Sequence, residues 1–162
     1  MATLTVWKFE SENGAEQAID TLRGLVEQEL IKVHDAATAS WQHGKKKPKT
    51  RQLNDLTTGG ALGGMFWGLL FGMLFFVPLL GAAVGAAMGA TSGMLTDAGI
   101  DDDFIKQVRS EITPGTSALF LLSSDAVLDR VQEAFADQDH RLIHTNLSQQ
   151  EEDSLRAAFA ED

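Results

Sequence analysis

The feature that most constrains this chain is an uncharged stretch, from Leu56 to Thr96, which contains two ladders of glycine. Glycines recur there every four residues, and because each residue turns a helix by about 100°, they form a narrow stripe. Glycine inside a helix costs roughly 1 kcal/mol relative to alanine. Close approach between helix backbones can offset that loss, since only small side chains permit it. The ladders are Gly60, Gly64, Gly68 and Gly72, then Gly81, Gly85, Gly89 and Gly93.

The uncharged stretch predicts an apolar helical hairpin over residues 56–97, divided at Pro78. Each half has about 19 residues, or roughly 28 Å as helix, close to the hydrocarbon thickness of a bilayer. We expect the hairpin either in a membrane, as a spanning or re-entrant element, or in the core of a homo-oligomer. A plain two-span arrangement is disfavoured, because residues 75–80 lack a polar side chain and Trp67 falls near the middle of the first helix. The second ladder has a parallel alanine stripe, which favours association with further copies.

Residues 1–55 and 98–162 carry the pattern of a soluble α/β domain. Period-two alternation and short apolar runs predict strands, while a three-to-four period and capping residues predict helices. Without the insertion the order is βαβ–βαβ, which predicts an α+β ferredoxin-like sandwich with helices on one face of a mainly antiparallel sheet. Strands are expected at 3–9, 31–41, 46–53, 117–122 and 141–147, with the 46–53 strand at an edge because of Pro48. Helices are expected at 13–29, from 101 to 113, after 125, and from 148 to 159.

Charge excludes one class of partner and indicates another. The net charge of −10 argues against nucleic-acid binding. A single basic cluster immediately precedes the uncharged stretch, and it has two compatible interpretations. It contacts anionic lipid headgroups, at about 1 kcal/mol per lysine or arginine, or it is a solvated hairpin that discourages edge pairing. Its members are Lys45, Lys46, Lys47, Lys49 and Arg51.

No catalytic arrangement is recognisable in the sequence. The chain has no cysteine, which excludes disulfides and thiolate metal sites. The aspartates at 97 and 101–103 are explained by helix capping, and no glycine run has the surroundings of a phosphate loop. We therefore expect no enzymatic activity, metal or cofactor, and identify no small-molecule substrate. The histidines, His34, His43, His140 and His144, are scattered.

Several motifs resemble those of a bacterial family known as a domain of unknown function and often labelled as membrane proteins. The resemblance covers nearly the whole length, and it implies an inserted hairpin and a bacterial origin without any catalytic residue. The matching segments are LNDL at 53–56, GGALGG at 59–64, FWGLLFG at 66–72, VPLLGA at 77–82, DAGIDDDFI at 97–105 and PGTSALF at 114–120.

These features together predict a non-enzymatic, self-assembling protein that associates with a membrane through its glycine-zipper hairpin. Its first ten residues lack the pattern of a signal peptide. We expect it at the bacterial inner membrane, with the α/β domain in the cytoplasm. The first alternative is a cytoplasmic soluble cage, ring or filament with hairpins packed in its core, and the second is a small channel.

Overall fold

The computed structural model describes residues 2–31, 33–46, 48–53, 63–75, 99–136, 138 and 140–159. Ten helices and strands follow one another along these residues. They are β1 (Ala2–Phe9), α1 (Gly14–Glu27), β2 (Val33–Ser40), β3 (Lys49–Gln52), α2 (Gly63–Phe75), α3 (Asp102–Glu111), β4 (Ser117–Ser124), α4 (Asp125–Ala134), β5 (Arg141–Leu147) and α5 (Gln149–Phe159).

The strands form one five-stranded antiparallel sheet in the order β3-β2-β4-β1-β5. Its centre is β4, which pairs with β1 and β2; for example, Leu122 lies opposite Leu4 in β1 and Asp35 in β2. The predicted strands are all present, and β3 occupies an edge as Pro48 indicated. The α+β class is therefore confirmed.

One face of the sheet is covered by α1 and α4. On β1, Trp7 and Phe9 point to this face, and on β4 Leu119 and Leu121 do so. Helix α1 has buried residues at a three-to-four spacing, which is the pattern of an amphipathic surface helix. The cluster is completed by Ala15, Ala18, Ile19, Leu22, Ile31, Val33, Ala36, Leu53, Val131 and Phe135.

The other face is covered as well, by α2, α3 and α5, so the expectation of helices on one face only was wrong. Phe120 of β4 contacts α2 through Phe71 and Trp67, with ring centroids 5.0 and 6.3 Å apart. The run from Ala118 to Leu122 alternates between the two cores, which explains why it is apolar throughout. Helices α3 and α5 add Phe104, Ile105, Val108 and Leu155 to this second core.

Capping residues set several helix boundaries. Asp101 accepts a hydrogen bond from the Phe104 N–H at 2.9 Å and so caps α3. The predicted capping box of α5 is confirmed, because the Ser148 N–H donates to Glu151 at 2.9 Å and the Glu151 N–H donates to Ser148 Oγ at 3.1 Å. Asn13 precedes α1 as predicted, but its side chain makes no capping bond.

The predicted hairpin is represented in the structure by α2, which carries part of the first glycine ladder. Helix α2 packs against the sheet of its own chain, a setting that neither the membrane nor the oligomer interpretation considered for this half. Residues 76–98, and with them the second ladder, lie outside the described residues. Within the described part of the chain, no helix has the length and apolarity needed to cross a membrane.

Candidate functional site

A pocket of about 410 Å³ lies at the turn between β2 and β3. It gathers three members of the predicted basic cluster. Arg51 is directed elsewhere, to an ion pair with Glu16 of α1 at 3.1 Å, and Lys47 lies outside the described residues. We call this cavity the lysine pocket, and its lining residues are Ser40, Gln42, Lys45, Lys46, Pro48 and Lys49.

Trp41 holds the turn that forms this pocket. Its Nε1 donates to the Lys45 carbonyl at 2.9 Å, and its backbone N–H donates to the Thr116 carbonyl at 2.9 Å. Gly44 adopts a φ of +82°, a left-handed conformation that glycine accepts without strain. The Lys45 N–H closes the turn on the Gln42 carbonyl at 3.2 Å. The lysines therefore project from a turn that is fastened to the start of β4.

The lysine pocket is a local concentration of positive charge on an acidic protein. Lys45, Lys46 and Lys49 are exposed. None of the three ammonium groups has a carboxylate of the described residues within 4.0 Å, in contrast to Arg51. Elsewhere the net charge of −10 opposes the approach of an anion. The pocket is accordingly the part of the described surface best suited to an anionic group.

Helix α2 is the second candidate, because it is apolar both on the side that packs against the sheet and on the side turned away from it. The residues that face the sheet recur at three and four positions, as in Trp67, Leu70, Phe71 and Leu74, and all are buried. About 100° of rotation per residue places the position of Gly72 on the opposite side of the helix. No residue of α2 is charged on either side. A helix that is apolar all round belongs in a core or a membrane rather than at a surface in water.

The glycine-ladder residues divide into those that the structure describes and those that it does not. Gly64, Gly68 and Gly72 lie in α2. A Cβ added to Gly72 would meet no atom within 4 Å, so nothing in the described chain requires glycine there. Gly60, Gly81, Gly85, Gly89 and Gly93 lie outside the described residues, and their packing stays a prediction.

Two further features of α2 were not apparent from its sequence. Trp67 is 3 % exposed, yet its Nε1 has no hydrogen-bond partner among the described residues. Arg109 of α3 donates from Nε to the carbonyl of Leu74 at 3.3 Å, which satisfies one of the free carbonyls at the end of α2. Both depend on packing between segments far apart in sequence.

A partly buried ion-pair network ties α3 to the sheet and was also missed. Glu111, whose side chain is 17 % exposed, pairs with Arg141 of β5 at 3.2 Å and with Lys8 of β1 at 3.7 Å. One indication of this network was present in the sequence: the alternation of β1 placed Lys8 on the same side as Leu4 and Val6. We assign the network a structural role.

The histidines do not form a site. His140 lies against buried Trp7, with ring centroids 5.3 Å apart, and His43 packs against Gly115 so closely that a Cβ there would collide with its ring. His144 is exposed on β5. Within the described ranges, no group of three histidine, aspartate or glutamate side chains is arranged to hold a metal ion.

Comparison with known proteins identifies a family and no activity. No curated protein and no solved structure matches the chain. The family model described as protein of unknown function (DUF1269) matches residues 61–160, a range that begins just before α2 and ends just after α5. Since this range is more than half of the sequence, the chain belongs to the DUF1269 family of proteins of unknown function.

Proposed function

We propose that this protein is a non-enzymatic, self-assembling protein of the bacterial inner membrane, with its α/β domain in the cytoplasm. Its apolar segment 56–97 makes the membrane contact and, through the glycine ladders, the contact between copies. The observation that carries the proposal is that α2 has no charged residue on its outer side, the side of Gly72, which is turned away from the sheet. An apolar helix side that is turned away from its own sheet favours contact with lipid or with further protein.

The glycine at position 72 supports self-assembly. It has the helix cost of glycine without a close neighbour in the described chain. Contact with another small-residue helix is the physical gain that offsets such a cost. The second ladder, at Gly81, Gly85, Gly89 and Gly93, supplies such a helix in the proposal, from the same or another copy.

The ferredoxin-like interpretation of the domain is part of the proposal. The antiparallel order β2-β4-β1-β5 supports it, together with the position of α1 and α4 on the same face. In this interpretation β3 is an additional edge strand, and residues 56–97 are an insertion between the two halves of the fold. Both ends of the insertion then lie on the same side of a membrane, because they belong to one domain.

A soluble cage, ring or filament is the second candidate, and the packing of α2 favours it. The sheet-facing side of α2 shows that protein can cover part of the apolar segment without lipid. In a soluble assembly the outer side of α2 and residues 76–97 would be covered by further copies.

Fractionation of cells without detergent, followed by mass photometry, separates these candidates. We expect the full chain in the membrane pellet, resistant to high salt, and released by mild detergent as a homo-oligomer. A large soluble particle would favour the second candidate. Soluble monomers and dimers alone, in aqueous buffer, would contradict both.

A further inference from the structure

We propose that the lysine pocket binds the phosphate group of an anionic membrane lipid, with the start of the lipid's apolar portion against the pocket wall. The inference rests on the proposed membrane association and names the residues and the lipid group that would make one of its contacts. It narrows the headgroup contact expected from the sequence to three lysines around one cavity, and it predicts selectivity for lipids with a net negative headgroup.

The charge of the pocket selects an anion. Lys45, Lys46 and Lys49 surround one cavity, and none is neutralised by a described carboxylate. Lysine is a common ligand of phosphate, to which it presents a compact positive charge and several donors. Gln42 adds an amide to the same wall, where the Ser40 hydroxyl already donates to the Glu12 carbonyl at 2.6 Å. These residues suit a phosphate oxygen better than a neutral headgroup.

The wall of the pocket suits an amphiphile rather than a free ion. Although four of its residues are Lys or Gln, the wall is mostly apolar. Lysine methylene stems and the proline ring offer apolar surface of this kind, because long cationic side chains bury their stems and keep their heads in water. A volume of about 410 Å³ is also larger than one phosphate requires and lies within the range of small-molecule sites.

The position of the pocket places it beside the apolar segment. Trp41, which holds the turn, packs edge to face on Phe75 with ring centroids 5.9 Å apart. Phe75 is the last residue of α2, and the sequence continues with the uncharged residues Phe76 to Thr96. A half-buried tryptophan between a polar turn and an apolar segment is typical of the membrane interface. The lysines are thus close to where headgroups would be found.

Vesicle flotation of the full chain tests the proposal. Vesicles of phosphatidylcholine, with or without about 30 % phosphatidylglycerol, are compared at physiological ionic strength, where a surface charge acts over about 8 Å. The double variant Lys45→Gln/Lys46→Gln should bind the anionic vesicles about 30-fold more weakly, because each near-surface lysine contributes about fivefold. Binding to the neutral vesicles should be unchanged.

A matched control separates the pocket from general charge. Lys106→Gln/Arg130→Gln removes two cations that are also exposed, on α3 and α4, and should change binding less than twofold. Equal losses in the two double variants would overturn the proposal, since they would show an effect of net charge alone. Gln42→Trp keeps every charge and fills the cavity, and it too should weaken anionic binding; unchanged binding would overturn the role of the pocket.

Soluble phosphates identify the source of the phosphate group. Inorganic phosphate and glycerol 3-phosphate are titrated into the full chain while the lysine side-chain resonances are followed by NMR. We expect millimolar binding at most, far weaker than to anionic vesicles. Tight binding of either soluble phosphate would overturn the assignment to lipid.

Failure of this inference is distinguishable from failure of the proposed function. Membrane fractionation that does not depend on anionic lipid or on the lysines would reject the pocket and leave membrane association intact. A chain that stays in the soluble fraction would instead reject membrane association, whatever its lysines bind.

Discussion

Helices α1 and α2 cover opposite faces of one sheet, and they differ most on the sides turned away from it. Helix α1 buries Ala18 and Leu22 and presents Glu16 and Asp20 to solvent. Helix α2 buries its sheet-facing residues equally well but has no charged residue at all. The charged outer side of α1 suits contact with water, whereas the proposal gives α2 a further layer of lipid or protein on its uncharged outer side.

The ends of the two helices repeat the contrast. The last carbonyls of α1 are satisfied by backbone N–H groups that follow the helix. The Leu30 N–H donates to the Leu25 carbonyl at 3.0 Å, and the Glu29 N–H donates to the Val26 carbonyl at 3.0 Å. At the described end of α2, the Leu74 carbonyl accepts a hydrogen bond from the side chain of Arg109, on another helix. This end of α2 is therefore tied to a separate segment of the chain.

The largest effects are expected from truncations in the two cores. Phe120→Ala removes the ring that contacts α2 and should lower the free energy of unfolding by about 3–5 kcal/mol. Leu119→Ala, next along β4 but facing α1, should cost about 2–5 kcal/mol. Urea unfolding of the full chain measures both. If Phe120→Ala lowered the free energy of unfolding by less than about 1 kcal/mol while Leu119→Ala had its full effect, α2 would not bury its face of the sheet.

Two tryptophans, one in each core, offer the next comparison. Trp7 Nε1 donates to Thr5 Oγ1 at 2.8 Å, whereas Trp67 Nε1 has no acceptor among the described residues. Trp7→Phe should therefore cost about 1–2 kcal/mol more than Trp67→Phe, because only Trp7→Phe breaks a bond while Trp67→Phe removes an unsatisfied donor. Equal costs in urea unfolding would mean that Trp67 finds an acceptor beyond the described chain.

Removing the cap of α2 should have a smaller effect. Arg109→Met keeps the apolar stem but removes the donor to Leu74, and we expect a loss of about 1 kcal/mol. Lys106→Met, an exposed substitution on the same helix, should change stability by less than about 0.5 kcal/mol. Indistinguishable melting temperatures for the two variants would argue against the capping role.

The end of α1 is expected to respond in the opposite direction. Glu29 has a φ of 59°, a left-handed conformation that disfavours residues with a Cβ. Glu29→Gly should raise the free energy of unfolding by roughly 0.5–1 kcal/mol. Thermal unfolding compares Glu29→Gly with Glu27→Gly, a control at the last residue of α1 that should be destabilised. A loss of stability in both variants would count against the left-handed backbone at Glu29 as the reason for the gain.

Local patterns predicted the elements of this fold and missed its second layer. The strands and the capping box of Ser148 and Glu151 follow from residues close in sequence. That α2 rests on β4 could not be read in this way, because its contacts with Phe120 span about 50 residues. The uninterrupted apolar run from Ala118 to Leu122 was the one local indication that both faces were covered.

The candidate site was predicted in part for the same reason. The sequence located the basic cluster, but not its division between the lysine pocket and the Arg51–Glu16 ion pair, which joins residues 35 positions apart. Trp41 was expected only as the end of a strand. Its role as the support of the turn depends on bonds to Lys45 and to Thr116, on another segment.

The central claim is that the outer side of α2 is a contact surface, and one pair of variants tests it most directly. Gly72 in α2 and Gly24 in α1 each have room for a side chain within the described chain. We predict that Gly72→Leu lowers the oligomer size in sedimentation velocity while the α/β domain stays folded, and that Gly24→Leu leaves the size unchanged. If the two variants kept the same oligomer size as the wild type, the outer side of α2 would not be the surface through which copies assemble.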